Sequence, residues 1–107
     1  MLYYYQVNVK GWSVPYVFAC TMSWPNGTYV LVQAQNPRGM YGENHLVKGR
    51  ICSEITEKEA DSFLNGRSLK EVVCAISEEE YQNDDIRLSN REIKARMQQQ
   101  MKSRERV

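Results

Sequence analysis

The sequence predicts an α+β domain, an antiparallel meander of three to four strands followed by two or three helices packed on one sheet face, the last of them basic. Three observations carry this. Apolar and polar residues alternate with period 2 through the first 35 positions, Ser/Thr…Glu pairs at capping-box spacing recur through the second half, and 107 residues suffice for one core. Hydrophobic residues at 42% and charged residues at 25% lie in the globular range, which excludes a disordered or fibrous chain.

The strands come first. Tyr3, Tyr5, Val7 and Val9 alternate with Tyr4, Gln6, Asn8 and Lys10, the pattern of a half-buried strand that Gly11 and Pro15 then interrupt. From Tyr16 to Trp24 one face carries Tyr16, Phe18, Cys20, Met22 and Trp24 and the other Val17, Ala19, Thr21 and Ser23, so this second strand is expected to be the most buried. Pro25-Asn26-Gly27-Thr28 supplies turn chemistry, because proline presets φ and Asn-Gly tolerates positive φ. A β-hairpin into a third strand, Tyr29 to Gln35, is therefore expected. The stretch from Asn36 to Gly49 holds one Pro and three Gly and reads as a loop of about a dozen residues, a length that usually has a function. Leu46-Val47 and Ile51-Cys52, kinked at Lys48-Gly49-Arg50, read as a short edge strand.

Capping marks the helices. In a capping box the Ser or Thr side chain accepts from the backbone N–H three residues on, while the Glu there reaches back. Thr56…Glu59 opens a helix over about 57–64, closed by Asn65-Gly66. Ser68…Glu71 opens a second, whose Leu69, Val72, Val73 and Ile76 recur at helical spacing. Ser77…Glu80 either restarts that helix or prolongs it through Tyr81. Ser89…Glu92, with Leu88 and Ile93 placed as a hydrophobic staple, opens the last helix. The chain divides accordingly into a core domain over 1–85 and a basic amphipathic helix over 86–107.

Several function classes fall away. No apolar run approaches the roughly 20 residues of a membrane span, and the N-terminus has no basic start and apolar stretch of a signal peptide. Cys20, Cys52 and Cys74 are odd in number and widely separated, against a disulfide framework. A cytoplasmic protein without membrane contact is expected. The cysteine spacing lacks the paired ligands of a zinc site, the acidic run lacks the calcium-loop pattern, and the glycines form no phosphate cradle, so no metal or cofactor is implied. His45 and Cys52 are the one conceivable nucleophile pair, at a spacing that matches no catalytic signature. The reading is of a protein that is not an enzyme.

What remains is binding. Residues 77–86 carry five acidic and no basic side chains, whereas residues 87–107 carry seven basic and two acidic ones. On the last helix Ile93, Met97 and Met101 stand at i, i+4 and i+8, the anchors a groove on another protein would take. That stripe is thin, so the helix either projects or packs on residues 69–76. Seven Tyr and two Trp, mostly within the first 41 residues, fill a small core or leave an exposed aromatic sheet face. The leading expectation is an accessory or regulatory protein that docks on a larger protein or protein–nucleic acid complex through Ile93, Met97, Met101, the loop residue Tyr41 and the aromatic face. The alternative is a direct DNA- or RNA-binding regulator. In it Arg87, Arg91, Lys94, Arg96, Lys102, Arg104 and Arg106, with Arg38, Lys48 and Arg50 from the loop, contact phosphates.

Overall fold

The computed structural model describes residues 2–35, 44–65 and 70–105; Arg38, Tyr41, Ser68 and Arg106 lie outside the described residues, as do the side chains of His45, Lys102 and Arg104. Five strands, β1 (Tyr3–Val9), β2 (Tyr16–Cys20), β3 (Tyr29–Gln35), β4 (Asn44–Ile55) and β5 (Lys70–Ala75), are joined by three helices, α1 (Glu57–Leu64), α2 (Glu78–Gln82) and α3 (Asn90–Glu105). The strands close into a barrel in the order β1-β2-β5-β3-β4, with β4 returning to β1. Every pair is antiparallel except β2–β5, which is parallel. The expected open meander is therefore wrong, and its errors trace to three segments.

The first is the Pro25–Thr28 turn. It forms, with Thr28 N–H donating to Pro25 O at 3.2 Å and Gly27 at φ +89°, yet it joins two strands that never pair. Its residues dock on β4 instead: Gly27 N–H reaches Ile51 O at 2.7 Å and Ile51 N–H reaches Thr28 O at 2.9 Å. Turn residues fix the local reversal, whereas the strand partner is chosen by the core.

The second is residues 70–76. Val72, Cys74 and Ile76 are buried while Glu71, Val73 and Ala75 are less so, a period of 2 where helical spacing was expected. Val72 and Ile76 fit both periods over so short a run, Val73 continuing the helical one and Cys74 the strand one, and three β-branched residues favour the strand. As β5 this segment bridges β2 and β3 and closes the barrel.

The third is β4, a twelve-residue strand that begins at Asn44 and takes up the last part of the expected loop, whose residues 36–43 lie outside the described residues. Gly49 sits where β4 crosses Val9 of β1 and Val30 of β3, and a Cβ there would lie 2.7 Å from Val7 Cγ1 and 3.2 Å from Asn8 O. The glycine marks a close approach of strands. Gly49→Ala is expected to destabilise the protein by about 1–3 kcal/mol, the range for overpacking a filled interior. A thermal melt checks this, since each kcal/mol lowers Tm by about 4–8 °C at this size; an unchanged Tm would mean the strands do not meet there.

Tyr5, Val7, Val9, Phe18, Cys20, Val30, Val32, Ile51 and Val72 fill the barrel interior. The helices cover two separate outer faces, correcting the expected single face. Ala60 and Leu64 of α1 pack on Val17, with Tyr4 and Tyr16 around them. On the other side Ile93 of α3 joins Leu31, Cys74 and Ile76, with Tyr29 and Tyr81 packed against them. The described tyrosines are taken up in this packing. Tyr5 is fully buried with its hydroxyl accepting from Trp24 N–H at 2.7 Å, and Tyr29 meets Tyr81 at 4.6 Å, so no bare tyrosine face remains among the described residues.

Candidate functional site

Two concave features flank α3, and the polar groups between them are held by internal contacts. Glu78–Gln82 forms a short helix because Ser77 and Glu80 make a complete capping box. Its far end leaves carbonyls without helical partners, and two lysines from the barrel take them. Lys48 Nζ donates to Glu80 O, to Asn83 O at 2.8 Å and to Ile86 O at 3.0 Å. Lys10 Nζ donates to Tyr81 O at 2.8 Å, Gln82 O at 3.1 Å and Asp84 Oδ1 at 2.7 Å. An ammonium has three donors, so each lysine is saturated.

Arg96 of α3 completes the latch with a bidentate pair to Glu80 at 2.8 and 2.7 Å. The guanidinium hydrogen bonds hold the Glu80 carboxyl down at about 2 from its ordinary 4.5. A depressed carboxylate contributes stability that is whole above about pH 4.5 and lost as pH falls toward about 2. The pair is expected to contribute about 2–3 kcal/mol at neutral pH. Urea unfolding of the wild type and Glu80→Gln should show that gap at pH 6 and little of it at pH 2.5, whereas a pH-independent gap would contradict the linkage. Asp84 is lowered too, through its bond to Lys10, while burial raises the Cys74 thiol.

The larger concavity, about 430 Å³, lies between the outer face of β3–β4 and the segment after α2, with Leu31, Leu46, Ile86 and Leu88 as walls and Arg87 at its rim. Its other charged groups, Lys48, Glu80 and Asp84, are committed to the latch. The smaller one, about 130 Å³, opens at the seam of the barrel where β2 and β5 diverge. Cys20, Val72 and Val73 line it, with Leu2, Met22, Met97 and Met101 around them. Leu2 is 49% exposed, Met97 38% and Met101 50%, so three of the six exposed large hydrophobic residues among those described converge here, the others being Trp12, Val14 and Leu46. Beneath it Cys20 Sγ accepts from Trp24 Nε1 at 3.3 Å and from Met22 N–H at 3.5 Å, which ties down the β2 end.

The structure divides the residues expected to act together. Met97 and Met101 share the seam groove, but Ile93 is 8% exposed and belongs to the core beneath α3. The helix is packed on β5 and does not project. Among the basic candidates Arg96 and Lys48 are occupied internally, and Arg50 stacks over Tyr29 at 5.3 Å with Nε directed at Gly27 O. Arg87, Arg91 and Lys94 are exposed, with no carboxylate at ion-pair distance among the described residues. His45 and Cys52 stand seven residues apart on one strand, roughly 20 Å, so they form no pair.

Sequence reading missed Leu2, Met22 and Val73 at the groove, and Lys10, Glu80 and Gln100 as fastenings. No local pattern marks them, because barrel closure is what brings them together. Among the described residues no cluster of His, Cys, Asp and Glu could hold a metal, and no helix is long and apolar enough to cross a membrane. No family model, curated protein or solved structure matches this chain.

Proposed function

We propose that the protein is a non-catalytic binding module that docks on a partner protein through the seam groove. The observation that carries this is the convergence of Leu2, Met97 and Met101, all solvent-exposed, on one apolar groove of a barrel whose other large side chains are mostly packed. Methionine suits such a surface, because its flexible, polarisable side chain adapts to what it meets. Burying the three on a partner removes apolar area from water at about 25 cal/mol per Å².

A second reading, direct binding of nucleic acid, is favoured by Arg87, Arg91 and Lys94, which are exposed with no carboxylate at ion-pair distance among the described residues. Two acids that would oppose a polyanion, Glu80 and Asp84, are paired within the chain to Arg96 and Lys10. The two readings are separated by capture from the producing cell, with and without nuclease, using matched variants. Met97→Ser/Met101→Ser is expected to weaken partner retention at least tenfold, about 1.4 kcal/mol, while Arg87→Ala/Arg91→Ala/Lys94→Ala retains it after nuclease. The reverse pattern, with a steep salt dependence, would establish the nucleic-acid reading instead.

A further inference from the structure

We infer that the cavity between the outer face of β3–β4 and the segment after α2 binds a small amphipathic carboxylate, a molecule with an apolar body and one carboxylate head. This goes beyond the docking reading, and the cavity shares no lining residue with the seam groove. The body follows from the walls. About 430 Å³ falls within the size of small-ligand pockets, about 300–1,000 Å³. Leu31 and Ile93 are buried at its base, Val47, Ile86 and Leu88 are half-buried around it, and Leu46 is 37% exposed. Apolar side chains from separate segments therefore face one space that the protein's own packing does not fill.

The head follows from the charges. Lys48 Nζ spends its three donors on the neutral carbonyls of Glu80, Asn83 and Ile86. These satisfy its hydrogen bonds but leave its charge without a paired carboxylate among the described residues. Glu80 and Asp84, the two carboxylates that line the cavity, are each paired to a cation outside the lining, Arg96 and Lys10. Glu78, Glu79 and Asp85 are exposed and form no part of the lining. Arg87, at the rim, has no carboxylate at ion-pair distance among the described residues. With the lining acids already matched, Lys48 and Arg87 leave the cavity positive, which suits an anion.

The guanidinium of Arg87 offers the planar fork that grips the two oxygens of a carboxylate. A phosphate fits less well, because the donors of Lys48 are taken and its third oxygen would find no partner there. The segment that carries Arg87 is held on both sides. Ile86 O accepts from Lys48 Nζ at 3.0 Å, and Leu88 packs against the cluster of Leu31, Ile76 and Ile93. Walls fixed in this way lower the ordering cost of binding.

Titration of the full-length protein with decanoate and with naphthoate, followed in spectra methyl-labelled at Leu, Ile and Met, tests this. Saturable binding of at least one of them is expected, with shifts at Leu46, Ile86 and Leu88 and none at Met97 or Met101. The matching alcohol should bind at least tenfold more weakly, as loss of a charge-assisted hydrogen bond implies. Arg87→Ala should weaken the carboxylate by the same factor and leave the alcohol unchanged, while Arg91→Ala, outside the lining, changes neither. No saturable binding of either carboxylate, shifts confined to the methionines, equal affinity for acid and alcohol, or an unchanged Arg87→Ala would overturn the site. None of these results touches the docking reading, which the paired methionine variant tests separately.

Discussion

Phe18→Ala is expected to destabilise the protein by about 3–5 kcal/mol, the range for truncating a buried aromatic. Phe18 is fully buried, lies opposite Tyr5 on β1 and Lys70 on β5, and meets Tyr16 edge-on at 5.4 Å. It thus stands in the interior at the strand that makes the single parallel pairing. The wall around it is a hydrogen-bonded ring, which cannot collapse into the void as a loosely packed helix could, so the cavity adds its own cost to the lost transfer energy. Against a total stability of about 5–15 kcal/mol this is a large fraction. Val14→Ala, at a side chain 64% exposed, should change stability by less than 0.5 kcal/mol or so. Urea unfolding followed by circular dichroism decides the matter. A loss under about 1 kcal/mol for Phe18→Ala would mean that the interior does not close around this ring.

A similar contrast is expected along α3, where neighbouring turns serve different purposes. Ile93→Ala should cost about 2–4 kcal/mol, because Ile93 is 8% exposed among Leu31, Cys74 and Ile76. Met97→Ala, one turn on, should cost less than about 1 kcal/mol, because its side chain already faces solvent along the groove. The same denaturation series measures both. Equal costs would contradict the division of this helix into a structural first half and an exposed second half.

Much of the local structure was legible in the sequence. Tyr29–Gln35 is a strand as its alternation predicts, and Glu57–Leu64 is a helix whose capping box at Thr56 is complete and whose end, Asn65, is left-handed at φ 47°. Ser89 accepts from Glu92 N–H as its spacing predicts. These succeed because each signal involves atoms within four residues. Failures begin where the outcome depends on distant strands. Residues 70–75 carry a pattern compatible with both periods, and only the vacancy between β2 and β3 decides that they extend. β4 read as a loop end and a short kinked edge strand because its outward positions include Lys48 and Arg50 and one inward position is Gly49, a residue demanded by contact with Val7. Ile93, Met97 and Met101 share a helical stripe, yet only the first turn of it lies over the cluster of Leu31, Cys74 and Ile76. That cluster buries the first and leaves the other two at the seam.

The same geometry explains why the charge pattern is less polar than the sequence implies. Lys10, just after β1, and Lys48 of β4 fasten the acidic segment and its backbone to the barrel, and Arg96 fastens it to α3. Their cationic groups are committed to holding α2 and α3 in place, which in turn sets the walls of the groove.

The central claim, that the seam groove is the binding surface, is tested most directly by a methyl-labelled methionine spectrum recorded with and without the captured partner. The chain has five methionines, and Met22, Met97 and Met101 line the groove. Binding is expected to shift or broaden those three resonances together. If all three stay in place while the amides of Arg87, Arg91 and Lys94 move in a salt-dependent way, the groove is not the site and the basic surface is.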